Sequence, residues 1–228
     1  MIDRRCFDCG LAIQPEAVGH MVMPAVRGSQ GPQERCNSCE TSRLRTVAAR
    51  GLPRSLAEIG VPELLRAASL DDLAAPVRQA LETSTGDVLL HGPTGTGKSH
   101  AAAGFVAWLV AYSLVPASEI RWIGVAEAVD ELTTFNSSAA ALRELVGLRV
   151  LILDDIGLER DSPFVRERLD ALLVTRYDRQ RRTIATTNLV PSEILKRSAR
   201  VGSRLLSATV IRLGGGDRRL SRRAGGGP

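Results

Sequence analysis

The sequence of 228 residues contains no long uninterrupted run of apolar side chains. A helix that spans a bilayer needs roughly 18 or more such residues, so the sequence predicts no membrane segment. The first residues, Met1 to Cys6, include charged side chains and lack the apolar stretch of a secretory signal. These absences lead us to expect a cytoplasmic protein without a membrane partner.

Cysteine is absent after residue 39. The four cysteines form two Cys-x-x-Cys pairs, Cys6 with Cys9 and Cys36 with Cys39, and 26 residues separate the pairs. Four thiolates suit a tetrahedral structural Zn²⁺, which would replace the hydrophobic core that so short a segment lacks. Disulfides are the alternative, which the cytoplasmic expectation disfavours. We therefore predict a four-cysteine zinc-binding module at residues 1–45 and a helical linker at residues 46–70.

Acidic residues are scarce at the C-terminal end. From Lys196 onward, nine lysine or arginine residues stand against one acid, Asp217, although the whole chain has a net charge of only +5. A basic segment of this kind fits a polyanion such as nucleic acid. Its two glycine runs favour flexibility, so residues 214–228 are predicted to be a flexible basic tail. The alternative is a solvated tail that binds nothing.

Short apolar runs alternate with longer segments of helical character through the rest of the chain. This alternation predicts an α/β fold, in which helices cover both faces of a parallel sheet. The predicted strands lie near residues 87–91, 120–123, 150–153 and 183–187, and the predicted helices near residues 99–115, 126–135, 139–146, 163–180 and 191–204.

The first of these strand-to-helix turns matches the phosphate-binding pattern G-x4-G-K-[ST]. Glycines in such a loop let backbone N–H groups turn towards the phosphates, and the N-terminus of the following helix adds partial positive charge. Lys98 would bridge the β- and γ-phosphates of ATP, and the Ser99 hydroxyl would be a ligand of Mg²⁺. The residues expected to bind the nucleotide are Gly92, Pro93, Thr94, Gly95, Thr96, Gly97, Lys98, Ser99 and His100.

Polar residues follow two other predicted strands. Asp154 and Asp155 come at the end of the strand that begins at Val150, and Asn188 follows the strand 183–187. In open α/β folds, ligands bind at the carboxyl ends of the strands. We expect Asp154 to hold the Mg²⁺ shell, Asp155 to orient or activate the attacking water, and Asn188 to contact the γ-phosphate or that water.

Arg200 and Arg204 are four residues apart, so they share one face of the last predicted helix. In an oligomer, one of them could reach the nucleotide of a neighbouring subunit as an arginine finger, and Arg204 is the preferred candidate. A solvated basic face is the alternative.

Four segments together resemble the DnaC/DnaI-type replicative helicase loaders, and the transposition helper ATPase IstB is closely similar. The resemblance extends from about Leu70 to Leu213, and the segments that carry it are Gly92–Ser99, Leu151–Gly157, Arg176-Tyr177 and Thr183–Leu189. It implies an AAA+ ATPase core at residues 71–213, which assembles into a ring or spiral and binds single-stranded DNA. Arg204 matches the arginine-finger position of the family.

The resemblance also sets expectations outside the core. In loaders of this kind an N-terminal module engages the replicative helicase, and in the DnaI-type branch that module carries zinc. The helical lid of many AAA+ proteins is expected to be missing, as is usual in these loaders. One departure is Asp155, which stands where many AAA+ ATPases have glutamate.

Two functions remain open from the sequence. The first is an ATP-dependent loader that places a replicative helicase on single-stranded DNA, which the cysteine pairs favour. The second is an IstB-like transposition helper that binds DNA and a transposase. A small-molecule kinase is disfavoured, because Asp155 and Asn188 suit the activation of water.

Overall fold

The computed structural model describes residues 51–112, 114–134, 136–159 and 162–216. The four cysteines predicted to bind zinc, and the predicted basic tail from Asp217 onward, lie outside the described residues. The boundaries of the zinc module, linker and tail therefore stay predictions, and so does the missing lid. Within the described part of the chain, no helix has the length and apolar character needed to cross a membrane.

Within the described residues, five parallel strands form one sheet. They are β1 (Val88–His91), β2 (Ile120–Gly124), β3 (Val150–Ile156), β4 (Arg182–Thr187) and β5 (Thr209–Arg212), and their spatial order is β2-β3-β4-β1-β5. The central strands β1, β3 and β4 are buried over most of their length, as expected for a sheet that helices cover on both sides. This order places β4 between β1 and β3, so the carboxyl ends of these three strands meet at one edge.

Eight helices in the described part of the chain cover the two faces of the sheet. On one face, α1 (residues 51–59), α2 (Ala75–Thr83) and α3 (Lys98–Ala111) pack in a core cluster with residues such as Leu90 and Ile152. The opposite face carries α4 (Val125–Thr133), α5 (Ser138–Gly147), α6 (Pro163–Asp178), α7 (Pro191–Arg197) and α8 (Ala199–Leu206). Short 3-10 turns at Glu63–Leu65, Leu70–Asp72 and Ala117–Glu119 complete the described elements. The predicted parallel α/β architecture with helices on both faces is confirmed.

Helix α3 is buried along most of its length because its side chains are small. It contains three alanines among its first seven residues after Ser99, and Gly104 contacts the backbone of the segment before it. A Cβ at Gly104 would lie 2.8 Å from the backbone carbon of Ser69. The close approach holds residues 63–72 against the N-terminal half of α3, beside the phosphate-binding loop.

Two features differ from the sequence prediction. The single helix predicted at residues 191–204 is two helices, because Ser198 is extended (φ −151°) and its side chain caps α8 by accepting from the Val201 amide. Strand β5 was not predicted. It pairs in parallel with β1, from Val88 with Thr209 to His91 with Arg212, and forms an edge of the sheet.

Candidate nucleotide-binding site

The loop between β1 and α3 depends on glycine at three positions. Gly92, Gly95 and Gly97 have φ angles of 147°, 80° and 93°, which side chains with a Cβ rarely adopt. At Gly92 a Cβ would also lie only 2.0 Å from the Leu213 carbonyl oxygen. The predicted strand, loop and helix are thus all present, and the loop ends at the N-terminus of α3, where a helix attracts anions.

Lys98 lies inside this loop, with only 5% of its surface exposed. Its Nζ donates to the carbonyl of Pro93 at 2.8 Å, and the Thr96 hydroxyl donates to the same oxygen at 2.9 Å. The ammonium group is therefore folded back over the loop that is predicted to receive phosphates.

The first acid of the predicted pair lies next to the loop. The Ser99 hydroxyl donates to Asp154 Oδ1 at 2.9 Å, and the Thr186 hydroxyl donates to the same oxygen at 2.6 Å. Burial raises the pKa of Asp154, and the neighbouring Asp155 raises it further, while the two hydroxyls and Lys98 act in the opposite direction. A cation bound beside Asp154 would therefore offset the free-energy cost of burying its carboxylate.

Asp155 adopts a left-handed backbone conformation (φ 62°), which is uncommon for a residue with a Cβ. Its amide donates to the Thr186 hydroxyl at 2.8 Å. Such strain often accompanies functional sites, where surrounding contacts hold the residue in place.

Two buried side-chain atoms near this edge lack hydrogen-bond partners among the described residues, namely Asn188 Oδ1 and His91 Nδ1. Buried polar atoms are usually paired, so an orphan acceptor such as Asn188 Oδ1 marks a place for a donor from a ligand or water. Burial lowers the pKa of His91, and the charges of Arg212 and Lys98 lower it further. Sequence reasoning singled out Asn188 and missed His91.

A cavity of about 810 Å³ brings most of the predicted residues together. It is large enough for a nucleotide. Part of its wall comes from residues that sequence reasoning did not connect with the site, namely Leu64, Leu65, Ala67, Ala68 and Asp72. The cavity is lined by Leu64, Leu65, Ala67, Ala68, Asp72, Thr94, Gly95, Gly97, Lys98, Ser99, His100, Asp155, Leu158 and Asn188.

His100 joins the phosphate-binding loop to that additional wall. Its Nε2 lies 3.0 Å from Asp72 Oδ2, which also accepts from the Ser69 amide at 2.9 Å. The apolar side chains of Leu65 and Ala68 and this polar pair therefore face one space. The capping box at Ser69 and Asp72 was the available signal for an ordered turn before the core.

Arg204 is not among the residues that line the cavity. Both Arg200 and Arg204 lie on α8, as predicted, and Arg204 stacks over the Tyr177 ring at 5.3 Å from its centroid. Its guanidinium also lies 3.6 Å from a carboxylate oxygen of Asp178 and donates to the Arg200 carbonyl at 3.2 Å. Within its own chain Arg204 is thus held against the C-terminal end of α6.

Several solved structures have a similar fold. DnaI superposes with a TM-score of 0.56 and 22% identity, covering 69% of this chain and 94% of that one. The DnaC helicase loader gives 0.52 and 21%, covering 64% and 97% of the two chains. The replication initiator DnaA, bound to AMPPCP and single-stranded DNA, gives 0.53 and 16%, covering 65% and 50%. At these identities the similarity shows the fold, which agrees with the predicted P-loop AAA+ core.

Sequence comparison supplies the family. No functionally curated protein matches the sequence. The profile of the IstB-like ATP binding protein family, however, matches residues 69–201, which is more than half of the chain and includes both the phosphate-binding loop and Asn188. The chain therefore belongs to the IstB-like ATP binding protein family.

Proposed function

We propose that this chain binds ATP with Mg²⁺ and hydrolyses it to ADP and phosphate. The observation that carries the proposal is the meeting of Lys98, Ser99 and Asn188 in one cavity, with Asp154 bound to Ser99. The positive-φ glycines fit a phosphate chain that approaches backbone amides closely. The hydroxyl and carboxylate oxygens of Ser99 and Asp154 are ligands that Mg²⁺ prefers, directly or through water.

Each side chain has a role that follows from its position. Lys98 exchanges the Pro93 carbonyl for phosphate oxygens, because an ammonium group binds an anion more strongly than a neutral acceptor. Asn188 Oδ1, which lacks a donor, accepts from the attacking water, and Asp155 orients that water or takes its proton. Bound Mg²⁺ would neutralise charge on the phosphates. Leu65, Ala68 and the pair His100–Asp72 would contact the base and sugar.

We further propose that hydrolysis serves DNA replication, by loading a replicative helicase onto single-stranded DNA. The coverage of almost the whole DnaI and DnaC chains supports this function, as does the DnaA structure with single-stranded DNA. Self-association would bring Arg204 of one subunit to the nucleotide of the next. The zinc predicted at Cys6, Cys9, Cys36 and Cys39 would belong to the part of the chain that contacts the helicase.

The match to the IstB-like family favours a second candidate, a transposition helper that binds DNA and a transposase. Capture experiments with the full chain distinguish the two. A loader retains a replicative helicase in the presence of ATP and binds single-stranded DNA more tightly than duplex. Retention of a transposase with a preference for duplex DNA would favour the second candidate.

ATP hydrolysis itself is tested by Lys98→Ala. We expect phosphate release to fall by about 10³-fold, since Lys98 is the cation of the phosphate-binding loop. Full activity in this variant would contradict the site. Arg66→Ala is the matched control, because Arg66 is a cation on the segment 64–68 whose guanidinium donates to its own chain, at the Val61 carbonyl, and it does not line the cavity.

A further inference from the structure

Thr186 occupies the strand between the two halves of the site. It lies on β4, which pairs with β1 before the phosphate-binding loop and with β3 before the two acids. Its side chain has no exposed surface, and it does not line the nucleotide cavity. Any influence of Thr186 on the nucleotide must therefore pass through its neighbours.

The direction of both hydrogen bonds of Thr186 is determined. The Asp155 amide can only donate, so the Thr186 oxygen accepts from it at 2.8 Å. The single hydroxyl proton is then available for Asp154 Oδ1, at 2.6 Å. Thr186 thus acts on the carboxylate of one acid and on the backbone of the next.

These two contacts set the geometry of the acid pair. The hydroxyls of Ser99 and Thr186 meet on one oxygen of Asp154, so they fix the rotation of that carboxylate and the direction of its second oxygen. The amide contact holds Asp155 in a left-handed conformation that a residue with a Cβ disfavours. Valine at position 186 would preserve the shape of the side chain and remove both contacts.

We propose that Thr186 is a positioning residue for catalysis, which aims Asp154 at the Mg²⁺ shell and Asp155 at the water site through its one hydroxyl group. This inference rests on the proposed ATPase function and extends it to a residue that does not line the nucleotide cavity. It couples β4, which leads to Asn188, to both acids of β3.

The test compares Thr186→Val, Thr186→Ala and Thr186→Ser in the full chain. Binding of a fluorescent ADP is measured in EDTA and then during a titration with MgCl₂, and ATP hydrolysis is measured over the same Mg²⁺ range. We expect the Val and Ala variants to bind ADP normally in EDTA. Their half-saturating Mg²⁺ should rise about tenfold and their turnover should fall by about 10- to 100-fold, as is typical for partners of metal ligands. Serine keeps the hydroxyl and should restore both values to within about threefold.

Thr183→Val is the matched control. Thr183 lies on the same strand, is 3% exposed and accepts from Arg176 Nε at 3.0 Å, at the opposite edge of the sheet. It should lower stability without changing the Mg²⁺ dependence. An unchanged Mg²⁺ dependence and turnover in both hydroxyl-free variants would overturn the proposal, as would an equal effect of Thr183→Val.

The unaltered chain separates this inference from the proposed function. If it binds ADP with Mg²⁺ and hydrolyses no ATP, the ATPase function fails while the Mg²⁺ titration still decides the role of Thr186. If it binds no nucleotide, both fail. If Thr186→Val does not fold, Thr186→Ala supplies the same loss of the hydroxyl in a smaller side chain.

Discussion

The sheet buries polar groups differently at its amino edge, where the parallel strands begin, and at its carboxyl edge, where they end. At the amino edge, the guanidinium of Arg176 is fully buried and donates to four acceptors, which are the carbonyls of Leu145, Leu148 and Arg182 and the Thr183 hydroxyl. At the carboxyl edge, Asn188 Oδ1 and His91 Nδ1 are buried without described partners. Partners are therefore supplied by the fold at the amino edge, whereas at the carboxyl edge Asn188, which lines the cavity, is left to be paired by a ligand or water.

Electrostatics at the amino edge support the same contrast. Burial lowers the pKa of Arg176 to about 10, so the group remains a cation near neutral pH. Asp87 accepts from the Thr183 amide at 2.6 Å, and Arg182 donates to Ser84 and lies over the Phe105 ring at 4.8 Å. Arg182 Nε is the exception there, a buried atom without a described hydrogen-bond partner, and it belongs to a guanidinium that faces an aromatic ring. We refer to Arg176, Arg182 and Asp87 with their hydrogen-bond partners as the structural clamp of the amino edge.

Arg204 gives the largest expected effect and connects the two edges. It lies on α8 against the C-terminal end of α6, and it is proposed to act at the carboxyl edge of a neighbouring subunit. We expect Arg204→Ala to lower ATP hydrolysis by about 10³-fold under conditions of assembly. Nucleotide affinity and stability should change little, since its contacts with Tyr177 and Asp178 are partly exposed. Phosphate release and binding of a fluorescent nucleotide measure the two effects.

Mixing subunits shows whether Arg204 acts in trans. An equal mixture of Arg204→Ala and Lys98→Ala chains should recover part of the activity, because one supplies an intact cavity and the other an intact finger. No recovery in the mixture would contradict the role between subunits. Arg200→Ala is the matched control on the same helix face, and a larger loss in that variant would assign the finger to Arg200.

Arg176 tests the clamp itself. Arg176→Met should lower the free energy of unfolding by about 3 kcal/mol, because it leaves several buried acceptors without donors. Nucleotide affinity should stay normal while the chain is folded. Urea unfolding measures the first quantity. The control is Arg179→Met at the exposed end of α6, with an expected change within about 0.5 kcal/mol. Equal stability of the two variants would remove the distinction between the edges.

The carboxyl edge could be predicted from sequence because its signals are local. Three glycines and Lys98 lie within seven residues, the two acids follow the apolar run Val150–Leu153, and Asn188 directly follows β4. Residues 64–68 and Asp72 escaped prediction, since only the fold brings them to the cavity. Thr186 could not be predicted either, because only the fold brings its hydroxyl to Asp154 and Asp155. The available signal was the pair of threonines before Asn188, since two hydroxyl side chains are unusual on a buried strand.

The amino edge was harder to predict. Arg176 was noted only as part of a motif, since nothing in the sequence distinguishes a buried arginine from the exposed Arg179 and Arg181. Strand β5 is four residues long with two exposed positions, so its pairing with β1 decides its conformation. The break at Ser198 had a local signal, because serine is a favoured N-cap residue.

Asp154 provides the smallest expected change in stability, and that change measures the free energy that the carboxyl edge costs the folded state. Burial raises its pKa above the unfolded value, so the ionised carboxylate destabilises the folded state at neutral pH. We expect Asp154→Asn without nucleotide to melt about 2 °C higher than the unaltered chain at pH 7.5, and this gain should vanish as the pH falls below the ordinary aspartate pKa of 3.8, where both states bind the proton. Hydrolysis should be lost in the same variant. Asp130→Asn, on the exposed face of α4, should show no such dependence. A gain that is absent at pH 7.5 would mean that Ser99 and Thr186 already offset the burial of the charge, and the carboxyl edge would then be as well paired as the amino edge.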